Sequence, residues 1–150
     1  MTKRKIIDYF FEGENSFLDN FYPSTVFLNG ARFPTAEHAF QATKMDNSAS
    51  FLLIWKAKTP AEAKKIGNSG PMRPDWNFVR YKIMKKIVTA KFQQHPDLAK
   101  KLLETGDALI IEGNHWHDNT WGNCTCSECK ATPGKNWLGK ILMEVRAELL

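Results

Sequence analysis

The longest uninterrupted helical pattern in this sequence constrains its fold more than any other feature. It runs from Asp75 to Gln94, and its apolar positions are Trp76, Phe78, Val79, Ile83, Ile87 and Ala90. Spacings of three and four residues are typical of an amphipathic helix. Pro96 follows closely, and the residue before a proline disfavours helical geometry. The sequence therefore predicts one long helix, against which shorter elements pack.

A hairpin followed by a helix is predicted between residues 24 and 44. Asn29-Gly30 separates two short apolar runs, and this dipeptide favours a type I′ turn between antiparallel strands. Thr35 then occupies a helix N-cap position, because its hydroxyl can accept a hydrogen bond from the first turn. The segment FPTAEHAFQATK is thus expected to enter a helix directly from the second strand.

A second well-marked helix is predicted in TPAEAKKIG. Thr59 is its N-cap, Pro60 fits the first turn, and Glu62 completes a capping box. Gly67 is expected to end it.

The remaining elements complete a helix-dominated α+β pattern. Helices are predicted from Ser50 to Ala57, in DLAKKLLETG up to Gly106, and in GKNWLGKILMEVRAELL, with Leu138, Ile141, Leu142, Val145 and Leu149 facing the core. Strands are predicted in KIIDYFF and ALIIEG, and residues 113 to 135 are loop-rich. This order does not alternate as in a doubly wound fold, so we predict one α+β domain, residues 1–150, with a few short strands.

The charge balance favours either a basic soluble surface or an anionic partner. Net charge is +5 and the isoelectric point about 9.1, but the lysines are scattered, with no basic tail. No apolar run reaches membrane-spanning length, and no signal peptide is recognisable, so a cytoplasmic location is expected. Three cysteines within six residues make a poor disulfide framework and fit a reducing compartment.

Glu37, Gln41 and Lys44 would share one face of the predicted helix. An acid in a first helical turn often only complements the helix dipole, and a lysine near a helix C-terminus is usually solvated. The functional alternative is a carboxylate beside an amine whose pKa is lowered by burial, able to bind phosphate or attack a sugar C1 atom.

Trp76 and Asp118 each have two possible roles. Trp76 is either a core residue at a helix start or a flat surface for a nucleobase, with Arg73 adding charge for a phosphate. Asp118 either closes a turn through its own backbone or supplies a second carboxylate facing Glu37.

The loop HWHDNTWGNCTCSEC combines three cysteines with two histidines. Cys124, Cys126 and Cys129 with His117 suit a structural zinc site, although no second C-x2-C pair completes a zinc finger. The alternative is an insertion carrying reduced thiols. In GKNWLG, Asn136 is well placed as an N-cap, and the exposed backbone N–H groups of such a helix start can hold phosphate.

The order of these motifs resembles the YbiA-like family, also called the NADAR domain. FLDNFYP, the NG hairpin, FPTAEHAFQATK, TPAEAKKIG, RPDW, AKFQQHP, LLETGDALIIE, WG and GKNWLGKILMEVR cover residues 9 to 150. The resemblance implies an N-glycosidase, a hydrolase whose substrates include phosphorylated ribosylamino-pyrimidine intermediates of riboflavin synthesis or ADP-ribose attached to guanine. It implies no required cofactor and no membrane partner, and it leaves a structural zinc ion open.

The resemblance also implies roles for individual residues. Catalytic roles fall to Glu37, Asp118, Trp76 and Lys44, the last as a candidate Schiff-base amine. Substrate-binding roles fall to Asn20, Phe21, Gln41, Arg73, Trp121, Gly122, Asn136 and Gly139. Residues 119–135 with CTCSEC depart from the shorter bacterial pattern as a loop insertion.

Two other functions remain open from the sequence. A non-catalytic module for ADP-ribose or NAD needs the same pocket without the carboxylates. A zinc-containing nucleic-acid-binding protein would account for the basic isoelectric point and the cysteine loop, and ADP-ribosylated guanine in nucleic acid is a further candidate substrate.

Overall fold

The computed structural model describes residues 3–150 and confirms the helix-dominated α+β class. Its strands, in chain order, are β1 (Ile6–Ile7), β2 (Val26–Leu28), β3 (Ala31–Phe33), β4 (Leu109–Ile110), β5 (Gly113–Asn114) and β6 (Asn123–Cys124). Its helices are α1 (Ala36–Lys44), α2 (Ser48–Trp55), α3 (Pro60–Ser69), α4 (Trp76–Gln94), α5 (Pro96–Glu104) and α6 (Trp137–Glu148), with a 3-10 turn at Ser16–Leu18. Two compact units divide the chain, Asn20–Pro96 and the residues up to Asp19 with Asp97–Leu150. A single domain over residues 1–150 stays a prediction.

The Asn20–Pro96 unit begins with the predicted hairpin. Strands β2 and β3 pair antiparallel, with Val26 opposite Phe33. Asn29 and Gly30 both have left-handed backbone angles, φ 51° and 84°, which a type I′ turn requires. Helix α1 follows at once and packs against α2, α3 and α4. The second strand of the hairpin is therefore followed directly by α1, the central helix of this unit.

Two expectations for this unit are wrong. Helix α3 continues past Gly67 to Ser69, and Gly70 is its C-cap. Phe78, expected on the apolar face of α4, is 91% exposed, while Met84, Ile87 and Val88 are buried. The segment has more apolar residues than one face can bury, so periodicity alone does not fix which face turns inward.

Helix α2 is shifted by two residues from its prediction, since it ends at Trp55 rather than Ala57. It starts at Ser48 rather than Ser50, because the Asn47 side chain accepts a hydrogen bond from the Ser50 N–H at 2.8 Å. Asn47 is thus the N-cap, a role that its residue type favours.

The other unit contains two parallel strand pairs and two helices. Strand β1 pairs with β4, and β5 with β6. Leu138, Ile141, Leu142 and Val145 of α6 are buried as predicted. Leu149 is the C-cap of α6 and is only half-buried.

Arg146 takes the buried position near the end of α6 instead. Its Nη1 donates to the Ala108 carbonyl and to Thr105 Oγ1, both at 2.9 Å. These bonds tie the last helix to the chain just ahead of β4.

None of the helices between residues 3 and 150 combines the length and apolar content needed to cross a bilayer.

Candidate active site

The start of helix α1 is held by a closed set of hydrogen bonds. Thr35, the N-cap, accepts at Oγ1 from the His38 backbone N–H at 3.1 Å. His38 Nε2 donates to the Ala57 carbonyl at 2.9 Å, because a carbonyl oxygen can only accept. Its Nδ1 therefore accepts the Thr35 hydroxyl proton at 2.8 Å. Fully buried His38 thus fixes the turn that carries Glu37.

Glu37 is a buried carboxylate oriented by its own helix. Its side chain is 7% exposed, and Gln41, one turn later, is 4% exposed. Gln41 Nε2 donates to Glu37 Oε1 at 2.9 Å, which confirms the predicted shared face. The Glu37 backbone N–H donates to the Asn20 carbonyl at 3.0 Å. The acid therefore has a fixed position at the helix start.

Lys44 completes this face at the end of α1. Partial burial lowers the pKa of its ammonium below the ordinary lysine value, and the negative charge of Glu37 partly offsets that shift. A lysine with a lowered pKa carries more free amine near neutral pH, which is the nucleophilic form. The expectation of an amine desolvated beside an acid agrees with this arrangement.

Asn20 contributes a buried amide next to Glu37. Its Nδ2 donates to Met84 Sδ at 3.3 Å, and the side chain is 6% exposed. Within residues 3–150, its buried Oδ1 has no hydrogen-bond partner. Burying an acceptor without a partner costs about 1–3 kcal/mol, so a ligand hydroxyl or N–H would bind there favourably. Phe21, the next predicted binding residue, is half-buried.

Trp76 lies at the first residue of α4 and is 4% exposed. Its ring packs on Phe40 of α1, with centroids 4.9 Å apart. This placement agrees with the core alternative, and stacking of Trp76 on a nucleobase stays a prediction.

Arg73 is joined to the end of α1 and paired with an acid. Its backbone N–H donates to the Lys44 carbonyl at 2.9 Å. Its guanidinium donates to both oxygens of Asp75, at 2.6 and 3.0 Å, and those bonds lower the pKa of Asp75. A phosphate at Arg73 would have to share this guanidinium with Asp75.

Asp118 closes a turn in the other unit. Its Oδ1 accepts from the backbone N–H groups of Thr120 and Trp121, at 3.1 and 2.9 Å. This is the turn-acid alternative named from the sequence. A second role facing the sugar stays a prediction.

Gly122 and Asn136 form the junction that holds the WG loop. A Cβ at Gly122 would overlap the Glu112 carbonyl. Asn136 occupies the N-cap position of α6 with a left-handed φ of 52°, but its side chain makes no cap hydrogen bond. It donates instead to the Ile110 carbonyl and accepts from the Glu112 N–H, both at 2.9 Å. Both polar atoms of this side chain thus have backbone partners.

Gly139 and Trp121 also have evident packing roles. A Cβ at Gly139 would overlap the Ile110 carbonyl, so glycine permits α6 to approach β4. Trp121 packs edge-on against Trp137, with centroids 5.5 Å apart. Substrate contacts by these residues stay predictions.

Three lysines of α4 gather beside the hairpin, in a groove that none of the predicted site residues lines. Lys82, Lys85 and Lys86 line a shallow groove of about 540 Å³ together with Phe27, Leu28, Asn29, Thr89, Ala90, Gln93 and Gln94. Lys86 Nζ lies 3.4 Å from Asn29 Oδ1. The groove offers positive charge to an anion but none of the carboxylates that glycoside chemistry uses.

The four residues predicted as metal ligands come together. The donor atoms of His117, Cys124, Cys126 and Cys129 all lie within 4.8 Å of one another, and the three cysteines are free thiols. Soft donors in this combination suit zinc.

A family model described as the NADAR domain matches residues 9–150. This chain belongs to the NADAR domain family. An N-glycosidase of Nostoc punctiforme is 40% identical over 135 residues, covering 87% of this chain and 83% of that protein. The N-glycosidase YbiA of Escherichia coli is 35% identical over 132 residues, covering 87% and 79%.

The NADAR chain also resembles part of a larger protein. A riboflavin biosynthesis protein of Vibrio vulnificus is 37% identical over 145 residues, which cover 94% of this chain but only 38% of that protein. Among solved structures, the NMR structure of Escherichia coli YbiA matches with a TM-score of 0.82 and 32% identity, covering 99% of this chain and 87% of that one. The fold predicted from the resemblance is confirmed.

Sequence reasoning missed two residues that organise this NADAR chain. His38 fixes the start of α1, but a buried histidine has no distinctive local signal. Asn114 shapes the Asp118 turn: its Oδ1 accepts from the Asp118 N–H at 3.2 Å and its Nδ2 donates to the Asp118 carbonyl at 2.8 Å. Only its polar type directly after a buried strand pointed to such a role.

Proposed function

We propose that this chain hydrolyses the N-glycosidic bond of a phosphoribosylated or ADP-ribosylated, nucleobase-like substrate. The observation that carries the proposal is the α1 face, where buried Glu37, held by Gln41, influences the partly buried amine of Lys44. Such a pair combines a negative charge for a cationic transition state with a nucleophile for an anomeric carbon.

The names of the relatives support the class of reaction. Two relatives with high coverage are named N-glycosidases. The riboflavin biosynthesis proteins of Vibrio vulnificus and Zea mays are larger, and this chain corresponds to 38% and 23% of their lengths. These names favour a ribosylated intermediate of that pathway, and ADP-ribosylated guanine is the second substrate in the proposal. The proposal also includes a cytoplasmic location. Three free thiols fit the reducing conditions of that compartment.

In the proposed reaction the bond between C1 and the base nitrogen breaks first. Positive character develops on C1 and the ring oxygen, and the Glu37 carboxylate stabilises it electrostatically. Water adds its oxygen to C1 and gives one proton to Glu37, while the departing nitrogen takes up a proton from solvent. Glu37 then releases its proton to solvent and is regenerated as the carboxylate. The catalytic role that the resemblance implies for Asp118 would fall to its Oδ2, since Oδ1 is used by the turn.

Lys44 offers a covalent route to the same products. Its free amine forms a bond to C1 as the base nitrogen leaves with a proton, and ring opening converts the adduct into an imine. Water then hydrolyses the imine, releasing the sugar and regenerating the amine. Borohydride would reduce the imine to a stable secondary amine on Lys44.

The deciding experiment replaces Glu37 by Gln and measures base release. Substrates would be ribosylamino-pyrimidine phosphates, ADP-ribosylated guanosine and NAD, with the freed base quantified by chromatography and mass spectrometry. We expect turnover to fall on the order of 10²–10³-fold or more, as when an electrostatic transition-state contact is removed. Glu14→Gln is the matched control, since Glu14 is exposed and loses the same charge.

Full turnover by a folded Glu37→Gln variant would rule out this mechanism. Calorimetry with ADP-ribose separates the binding-module alternative, which requires binding without any product from the wild-type chain. If neither binding nor turnover occurs with the whole panel, the proposed substrate class is wrong.

A further inference from the structure

Four soft donor atoms converge in the cysteine-bearing loop. His117 Nδ1 lies 3.4 Å from Cys129 Sγ and 3.5 Å from Cys126 Sγ. Cys124 Sγ accepts a hydrogen bond from the His117 backbone N–H at 3.3 Å. His117 lies seven residues before Cys124, the first of the three cysteines. The fold of the backbone therefore brings the histidine to the cysteines.

The spacing of these atoms agrees with a tetrahedral metal centre. Zinc–sulfur bonds of about 2.3 Å and zinc–nitrogen bonds of about 2.0–2.1 Å place neighbouring donors roughly 3.6–3.8 Å apart. The two nitrogen–sulfur distances, 3.4 and 3.5 Å, are close to that value, and all pairs of donors lie within 4.8 Å. Small movements would bring the four atoms into bonding distance of one ion.

The backbone prepares this arrangement. His117 has a left-handed φ of 69°, an uncommon conformation for a residue other than glycine. Cys126 and Cys129 are joined by a tight turn, in which the Cys126 carbonyl accepts from the N–H groups of Cys129 and Lys130, at 3.1 and 2.9 Å. Cys124 is buried on β6. One ligand is thus anchored in the core, while the others project from turns.

We propose that His117, Cys124, Cys126 and Cys129 bind one zinc ion. Three thiolates and one imidazole are a typical structural zinc set, and their softness disfavours magnesium and calcium. The protein supplies all four ligands, so no position is left for a substrate, and the ion is structural rather than catalytic. His117 is exposed and two cysteines are half-buried, which gives a metal ion a route into the site.

The ion would tie together both ends of the segment from His117 to Cys129. That segment contains Asp118 and its turn to Trp121, held by backbone hydrogen bonds. Zinc would therefore stabilise the Asp118 turn from outside it. This inference stands independently of the proposed N-glycosidase activity, because it concerns metal content and loop stability only.

The first test measures zinc in the wild-type chain of 150 residues and in two matched histidine variants. The chain would be purified without chelator, loaded with zinc sulfate, desalted and analysed by plasma mass spectrometry. We expect one zinc per chain. His117→Asn should bind zinc about 100-fold more weakly or worse, since even outer-shell changes cost about 10–100-fold. Asparagine tolerates a left-handed backbone, so this variant is expected to fold.

His115→Asn is the control, because His115 is exposed and neighbours the site without joining the cluster. It should retain full zinc content. Cys129→Ser provides a second ligand loss that does not touch the His117 backbone. A chain that stays metal-free after zinc loading, or equal loss of zinc in both histidine variants, would overturn the proposal.

Two further readouts do not depend on catalytic activity. Cobalt(II) in place of zinc should show thiolate charge-transfer and intense tetrahedral d–d bands, and it should lose intensity in Cys129→Ser. Zinc should also protect all three cysteines from alkylation, and chelation should expose them and speed amide exchange at Thr120 and Trp121. Unchanged alkylation and exchange on chelation would contradict a structural ion.

Discussion

Lys44 shows how burial and one neighbour set the chemistry of a single residue. Its position at the C-terminal end of α1 would normally favour the charged form through the helix dipole. Partial burial acts in the opposite direction and prevails, so the pKa of its ammonium is lowered, while the Glu37 charge raises it by a smaller amount. Near neutral pH, Lys44 therefore carries a larger fraction of free amine than an exposed lysine does.

A pH titration of Lys44 should show this balance. We expect its midpoint to lie below the value of about 10.4 found for lysine in model peptides. Because Glu37 raises the pKa, Glu37→Gln should shift the midpoint further down. NMR of carbon-13-labelled lysine would measure the Lys44 midpoint in the wild-type chain and in Glu37→Gln. The Lys44 signal would be assigned by its absence from the spectrum of Lys44→Arg. An unshifted midpoint, or an upward movement in Glu37→Gln, would contradict this account.

The same shift has a consequence for stability. Between its lowered folded pKa and its unfolded pKa, Lys44 binds more protons in the unfolded chain, so its contribution to the free energy of unfolding rises with pH. Below the folded pKa the amine is protonated in both states, and the cost of burying its charge is fully present.

At the scale of elements, the approach of α3 to α1 depends on one glycine. A Cβ at Gly67 would overlap Gln41 Oε1 and lie 2.8 Å from Gln41 Cδ. Gln41 in turn donates to Glu37 Oε1 at 2.9 Å. The glycine in the middle of α3 thus gives room to the amide that holds the buried carboxylate.

Gly67→Ala should therefore destabilise the chain. An alanine in an exposed helix interior would normally gain about 1 kcal/mol over glycine, whereas overpacking costs about 1–3 kcal/mol. We expect the overlap to prevail, with the urea midpoint lowered and turnover reduced as Gln41 is displaced. Asn68→Ala is the control, because Asn68 is exposed on the same helix and should leave the midpoint unchanged or raised.

Combining Gly67→Ala with Gln41→Ala tests whether the two effects share one cause. Since Gln41→Ala removes the overlapping atoms, the double variant should be more stable than the sum of the single changes predicts. A Gly67→Ala variant as stable as the wild-type chain would show that Gln41 can move without cost.

At the scale of the whole molecule, the net charge of +5 attracts anionic ligands in general. Three of the lysines responsible gather at the α4 groove, and others lie elsewhere on the surface. A positive field of this kind attracts phosphorylated ligands and weakens as salt screens it.

Ionic strength should therefore affect the KM for a phosphorylated substrate. We expect the KM to rise with added sodium chloride while kcat stays nearly constant, because screening weakens binding but not the chemistry within the site. The same substrate without its phosphate is the control and should show little change. Equal salt effects on both substrates would contradict electrostatic attraction of the phosphate.

The local elements of this protein were predictable from sequence because their signals act over a few residues. The Asn29-Gly30 turn and the Thr35 and Thr59 caps form as predicted, since each depends on bonds or backbone angles within its own segment. The shared face of Glu37 and Gln41 follows from helical geometry in the same way. The order of such motifs also sufficed to predict the NADAR family, which the family model confirms, and the predicted N-glycosidase agrees with the names of two relatives.

Tertiary structure decided whatever depends on residues distant in the chain. Gly67 does not end its helix but accommodates Gln41, and Asn136 bonds the backbone of β4 rather than capping α6. The direction of Phe78 into solvent was likewise fixed by which face of α4 the other elements cover. Close packing decides these outcomes, because atoms from separate segments cannot occupy the same space. The sequence of one segment does not show which other segments will pack against it.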